Sequence, residues 1–318
     1  MTSLDRSAIW PFENGEPGEF WYQRDRHPAG VEAERALAEL EGGHALLFPS
    51  GAGATTCLVL SEVRPGETIA IAEGAYYGTS RLFEALAPWG LRYLEFDQTG
   101  APPNGVDLIW LEAPSNPFLT MPDFEAAAAH PACVVVDSTA ATPVHLRPLE
   151  QGADFVVHSA TKYLGGHHDL LLGAVVCRER EAYERLLALR TRTGIVASPD
   201  SAWLLLRSLK TLHVRVERQS ATAAALAERL ARDDRVETVR YPGFGGMLSF
   251  DVRGDARAVE TSVRRIVNAT SLGGVETTIE TRFRWEPDRV PESLLRLSVG
   301  LEDVDELWAD LDQALRRA

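Results

Sequence analysis

The chain has 318 residues, enough for a large core, with a formal net charge of −14 and three cysteines. That acidity argues against nucleic acid or an anionic membrane surface as a partner, since both favour basic faces. The opening MTSLDRSAIWPFENG lacks a basic start followed by an apolar run, no stretch reaches the ~18 apolar residues of a membrane span, and Cys57, Cys133 and Cys177 sit singly in apolar segments, so a soluble cytoplasmic protein with buried free thiols is expected.

In chain order, residues 1–21 read as an irregular arm. VEAERALAELEGG follows with helical spacing, its Gly pair suited to a C-cap. HALLF, ETIAIAE, LRYLEF, VDLIWLE, ACVVVDS, DFVVHS and LLLGAVV are strand candidates, with helical stretches such as TSRLFEALAPWG between several of them. Continuous apolar strands alternating with helices indicate a mainly parallel sheet covered on both faces. From about Ser198 the texture changes. DSAWLLLRSLKTLHVRVERQSATAAALAERLARDD predicts one long helix, then come strands VETVRY and GMLSFDV, a helix DARAVETSVRRIV, a strand LLRLSVG and a final amphipathic helix VDELWADLDQALRR. The expected α/β organisation is a large domain over 22–207 and a smaller C-terminal α+β domain over 208–318, hinged on the long helix.

The chemistry centres on HSATKYLGG. The chain has only two lysines, Lys162 and Lys210, among 32 basic residues. A generic surface cation is written here as Arg, so Lys162 suggests a task that needs a primary amine, which can lose its proton and form a Schiff base. The hydroxyls of Ser159 and Thr161, with nearby glycine amides, suit a phosphate. A lysine beside a phosphate cradle points to pyridoxal phosphate, whose ring nitrogen then needs a carboxylate. Asp137 ends the apolar strand ACVVVD. Alone it would as readily be a helix cap, but it shares with Lys162 the carboxyl edge of the sheet, where open α/β sheets bind ligands. FPSGAGATT offers the amides of Gly51 and Ala52 as a second phosphate element, and the aromatic pair in EGAYYGTSRLF is either core packing or a ring laid over a cofactor. Asn116 in EAPSNP is open between an Asx turn and a site role. HHD at 167–169 has no second ligand cluster at metal spacing, so no metal site is expected.

Over nearly the whole chain these motifs resemble the Cys/Met-metabolism family of pyridoxal-phosphate enzymes, which includes cystathionine γ-synthase, the cystathionine lyases and methionine γ-lyase. SATKYLGGHHD is similar to that family's SATKYxxGHSD, and YQRDRHP, ELEGG, FPSGAGA, YYGTSRLF, EAPSNP, VVVDSTAATP, SLGGVE and LLRLSVGLED stand around it in family order. The resemblance implies the aspartate aminotransferase-like fold (fold type I) and elimination at the γ- or β-carbon of a sulfur- or oxygen-substituted amino acid, with γ-replacement on an O-acylhomoserine as the alternative. It makes Lys162 the Schiff-base lysine and proton shuttle, Asp137 the partner of the ring nitrogen, and Tyr76 the stacking ring and leaving-group acid or base, its phenol pKa lowered by cations. Gly51, Ala52, Thr139, Ser159 and Thr161 would hold the cofactor, with Asn116 at the ring hydroxyl. Arg296 would clamp the substrate α-carboxylate beside Ser271, and Arg81 would face a distal substrate group. Tyr22 and Arg24 would reach the neighbouring subunit's phosphate, implying a homodimer with shared sites, or a higher oligomer such as a tetramer.

The chain also departs from the family. Gly78 stands where methionine γ-lyases carry Cys, Thr270 where enzymes acting at cystathionine's γ-carbon often have Glu, and His168 in the usual Ser place. After SLGGVE, TTIETRFRWEPD replaces the usual His-Pro segment.

Overall fold

In the computed structural model, which describes residues 3–317, the apolar runs of the first half of the chain form one seven-stranded sheet. The arm before it is irregular, with Arg6 forked onto Asp200 at 2.6 and 2.9 Å and Ile9 bridged to Tyr22. Helix α1 (Pro28–Glu41) starts at His27, whose Nδ1 accepts the Gly30 N–H, and stops at Gly42 in the left-handed region, as the Gly pair predicts. Strand β1 (His44–Phe48) enters α2 (Gly51–Glu62) through Ser50, whose Oγ accepts the Gly53 N–H. Then come β2 (Thr68–Ala72), α3 (Tyr77–Leu86), β3 (Arg92–Phe96), β4 (Leu108–Glu112), α4 (Phe124–Ala128), β5 (Cys133–Asp137), α5 (Thr142–His145), β6 (Phe155–His158), β7 (Gly173–Cys177) and α6 (Arg180–Thr193).

The sheet order is β1-β7-β6-β5-β4-β2-β3. From β3 to β6 every pairing is parallel, and β7 runs antiparallel between β6 and β1. All residues of β4, β6 and β7 are buried, which is why they read as unbroken apolar runs and not as alternating ones. Gly173 lets β7 pass flush against the turn into α2, because a Cβ there would meet the Ser50 carbonyl oxygen at 2.1 Å.

The second sheet has the order β10-β11-β12-β9-β8 and is built from β8 (Val236–Arg240), β9 (Met247–Val252), β10 (Val267–Asn268), β11 (Thr278–Thr281) and β12 (Leu294–Ser298). Four more helices complete the chain: α7 (Pro199–Leu209), α8 (Leu212–Leu230), α9 (Ala256–Ser262) and α10 (Val304–Leu315). Leu226, Leu230, Phe250, Leu297 and Leu311 share one apolar core between α8, the sheet and α10. Among the described residues no helix is long and apolar enough to cross a membrane, and the three cysteines are free, with Cys57 and Cys177 fully buried and Cys133 partly so.

Two expectations need correction. The single long helix is two, broken at Lys210 and Thr211. The break is held by Arg215, a buried guanidinium that donates to the carbonyls of Tyr163 (2.8 Å) and Ser208 (3.0 Å) and to Thr211 Oγ1 (3.1 Å). Burial pushes its pKa down to about 10. The helix over DARAVETSVRRIV ends at Ser262, because the Asp310 carboxylate on α10 accepts the N–H groups of Arg264, Arg265 and Ile266 and so holds them extended. Both departures come from long-range polar contacts that override local helical spacing.

Candidate active site

A cavity of about 330 Å³ opens at the carboxyl ends of β4, β5 and β6, a size that suits a small cofactor with its substrate. Lys162, Asp137, Tyr76, Asn116, Ser271 and Arg296 all line it. So do Gly51, Ala52, Thr139, Ser159 and Thr161.

Lys162 sits in the tight turn after β6, where its N–H donates to the Ser159 carbonyl. Arg215 grips the next two carbonyls of that loop, so the break between α7 and α8 also fixes the lysine's backbone. The amine Nζ donates to Ser271 Oγ at 2.7 Å. Burial, then Arg296, depresses its pKa to about 8, only partly opposed by Glu280. Ser271 has φ 86°, a conformation that costs a non-glycine residue of order 1–3 kcal/mol and is held here from both sides, by Lys162 and by the Arg296 N–H on its carbonyl (2.8 Å).

Asp137 pairs in register with Glu112, so two carboxyl groups end adjacent parallel strands. Among the described residues the side chain of Asp137 is hydrogen-bonded by Thr139, whose N–H lies at 2.9 Å, and no cation forms an ion pair with it. Burial raises its pKa, opposed by Thr139 and by His158. A half-buried carboxylate without a cation at the cavity floor suits a protonated ring nitrogen. Burial and then Asp137 raise Glu112 well above the usual carboxylate range; it accepts the Tyr76 N–H.

The phosphate end is equally ready. Ser50 takes the Gly53 N–H, leaving those of Gly51 and Ala52 at the start of α2 without protein partners among the described residues. A Cβ at Gly51 would approach Ser159 Cβ to 2.9 Å and fill the space between the two phosphate elements. Thr139 Oγ1 accepts the Ser159 N–H at 2.8 Å, aligning that residue. Thr161 is more committed than expected, because its hydroxyl bonds both the N–H and the carbonyl of Leu172. Pyridoxal phosphate therefore fits on three counts: free helix amides, an uncompensated carboxylate and a near-neutral amine.

Arg296 on β12 lies opposite Glu280 on β11 and is buried, its pKa lowered by burial to about 10. It pairs with Glu280 and donates to Asn116 Oδ1 at 2.9 Å.

Not every expected residue reaches this cavity. Tyr22 and Arg24 are exposed outside it, where Arg24 donates to the Thr191 carbonyl and lies over the Tyr22 ring. Arg81 is exposed on α3, away from the lining. The phenol of Tyr76 also departs from expectation, since burial, then Tyr77, raises its pKa and the opposing effect of Arg282 is smaller. Its ring packs on Gly78, where a Cβ would meet Cε1 at 2.4 Å, so a cysteine at this place would displace the tyrosine.

Two charged lining residues escaped sequence reasoning, Glu112 and Arg282. The first ends the apolar strand LIWLE, the same signal that drew attention to Asp137. The second sits in the segment that departs from the family.

Comparison with known proteins agrees with this geometry. The family model for Cys/Met metabolism PLP-dependent enzymes matches residues 2–316. The chain is 43% identical to an L-methionine gamma-lyase of Streptomyces avermitilis, over 92% of this chain and 75% of that protein. It is 38% identical to a cystathionine gamma-synthase of Mycobacterium tuberculosis, over 94% and 87% respectively. The crystal structure of metB from Corynebacterium glutamicum superposes with a TM-score of 0.96 at 35% identity, covering 99% of this chain and 92% of that one. With that match along the chain and with a cavity that can seat the cofactor, the protein belongs to the Cys/Met-metabolism family of pyridoxal-phosphate-dependent enzymes and has the fold of their type I group.

Proposed function

We propose that the enzyme eliminates a sulfur- or oxygen-bound substituent from the γ-carbon, or the β-carbon, of an amino acid, as a C–S lyase of cystathionine γ-lyase type. The observation that carries this reading is Lys162, a half-buried amine with pKa about 8 facing an uncompensated Asp137 across one cavity. When bound, pyridoxal phosphate supplies an electron sink for charge developing on the substrate carbons. Gly51, Ala52 and Ser159 would hold its phosphate, joined by Thr161 once its hydroxyl turns from the Leu172 carbonyl, and Asn116 would meet its ring hydroxyl, Tyr76 its ring face and Asp137 its ring nitrogen.

Arg296 grips the substrate α-carboxylate, its guanidinium held still by Asn116, Glu280 and the Ser271 carbonyl. That fixes the α-hydrogen beside Lys162 Nζ, which takes the proton once the amine is neutral; for a γ-substituent a β-proton must leave as well before the Cγ bond breaks. A lysine with pKa about 8 is neutral in useful proportion near physiological pH, unlike one at 10.5. Tyr76 keeps its phenolic proton at neutral pH, since its pKa is raised, and therefore serves as the acid that protonates the departing sulfur or oxygen. Residues 22–207 are taken as the cofactor-holding unit and 208–318 as the unit bringing Ser271 and Arg296. The free thiols fit a reducing compartment such as the cytoplasm.

Product analysis tests the reaction. A lyase yields a 2-oxo acid and ammonia from cystathionine alone. A requirement for cysteine plus an O-acylhomoserine would replace this reading with the γ-replacement one, which relatives named synthases also support.

The same reading makes the enzyme a homodimer that completes its sites across the interface, with a tetramer open. Tyr22 and Arg24 lie outside their own cavity, and the arm exposes Ile9, Phe12 and Trp21, an apolar face suited to burial against a second copy. Arg24→Ala and Lys162→Ala chains, each inactive, should recover roughly a quarter to a half of wild-type activity when mixed, because hybrid dimers carry one intact site. No recovery would refute the sharing.

A further inference from the structure

Arg282 is the one cation of the cavity wall that the mechanism leaves without a task. It follows β11 in the stretch that departs from the family, is only 3% exposed, and lies over the Tyr77 ring at 5.4 Å, beside Tyr76. Its counter-charges are Glu280 (3.3 Å) and Glu286 (2.8 Å), and neither lines the cavity, so the guanidinium stands between them and the open space. Among the described residues only two of its N–H groups are taken, one by a long contact, and its Nε is buried with no partner. A buried guanidinium with unspent donors on a ligand cavity is a receptor for an anion.

Geometry narrows the anion's place. Arg282 and Arg296 both reach the same Glu280 oxygen, Oε1, so the groups they would hold lie close together. With the α-carboxylate on Arg296, an anion on Arg282 belongs to the γ-substituent, on the side where Tyr76 protonates what departs. We infer that Arg282 determines specificity by binding an anionic group, carboxylate or phosphate, carried on or next to the substrate's γ-carbon. Arg81, the expected partner of a distal anion, is outside the lining, and Arg282 takes over that task. The assignment rests on Arg296 being the α-carboxylate clamp.

The test is binding of L-glutamate and L-glutamine to the holoenzyme by titration calorimetry. The two have one shape, and they differ in charge at the group on the γ-carbon. Wild type should bind glutamate about tenfold or more tighter than glutamine. In Arg282→Met that ratio should fall to about one with glutamine still bound, and Arg282→Lys should keep part of it. An unchanged ratio in Arg282→Met overturns the assignment. Equal loss of both ligands in Arg282→Met and Arg282→Lys overturns it too, making the residue a brace for Glu280. A wild type that holds its cofactor and binds neither compound also refutes it, whereas one that holds no cofactor sinks the underlying reading as well.

Discussion

Lys162→Ala should lower turnover by about a thousandfold or more, the scale of a positioned proton-transfer group. The loss is expected without loss of fold. At neutral pH the wild-type amine pays for its burial beside Arg296, which is why its pKa falls to about 8. The sign for stability follows from linkage. Between the folded pKa of about 8 and the ordinary 10.5 the unfolded chain binds more protons, so the native state gains stability as pH rises through that interval, and below it the burial penalty is complete. Alanine removes that penalty. The apoprotein of Lys162→Ala should therefore melt no lower than wild type at pH 7, and a scanning calorimeter decides the matter. In wild type the rate of cofactor capture by the apoprotein should rise through pH 8 as the amine becomes neutral, and a flat profile would mean that this lysine does not titrate there.

Asp137→Asn should cost about 100- to 10,000-fold in turnover, because asparagine keeps the shape and the Thr139 contact but cannot balance a positive ring nitrogen. Here too stability should move the other way. Burial raises the aspartate's pKa, so folding favours its protonated form. That contribution is present below the ordinary aspartate pKa of 3.8 and is lost as pH rises through the folded value. Above that value the carboxylate is buried as a charge with no ion-pair partner among the described residues, a cost that asparagine escapes. Thermal melts of the two apoproteins at pH 7 should place Asp137→Asn at or above wild type. A marked fall would mean that the carboxylate is a structural partner and not a site held ready for a ligand.

Much of this was legible in the residues. The strands of the large sheet read directly because burial on both faces leaves them apolar along their whole length. Lys162 stood out by scarcity, and Asp137 by ending such a strand. Strand β11 was not legible: TIET reads as polar, and it is buried because Glu260 accepts the Thr281 N–H and Arg296 pairs with Glu280. Arg282 was hidden because a guanidinium reads as a surface cation, and its burial depends on Glu280 and Glu286 folding onto it. The break between α7 and α8 depends on Arg215 reaching the carbonyls of Tyr163 and Leu164, contacts that no helical spacing within the segment encodes.

The central claim, that Lys162 binds the cofactor in this cavity, has one direct measurement. The chain holds only two lysines, and Lys210 is exposed at the end of α7. Reducing the holoenzyme with borohydride makes any lysine–cofactor bond permanent, and peptide mass spectrometry then locates it. The pyridoxyl mass should fall on the peptide containing Lys162, in nearly every chain. Its appearance on Lys210, or on no lysine at all, would contradict the account.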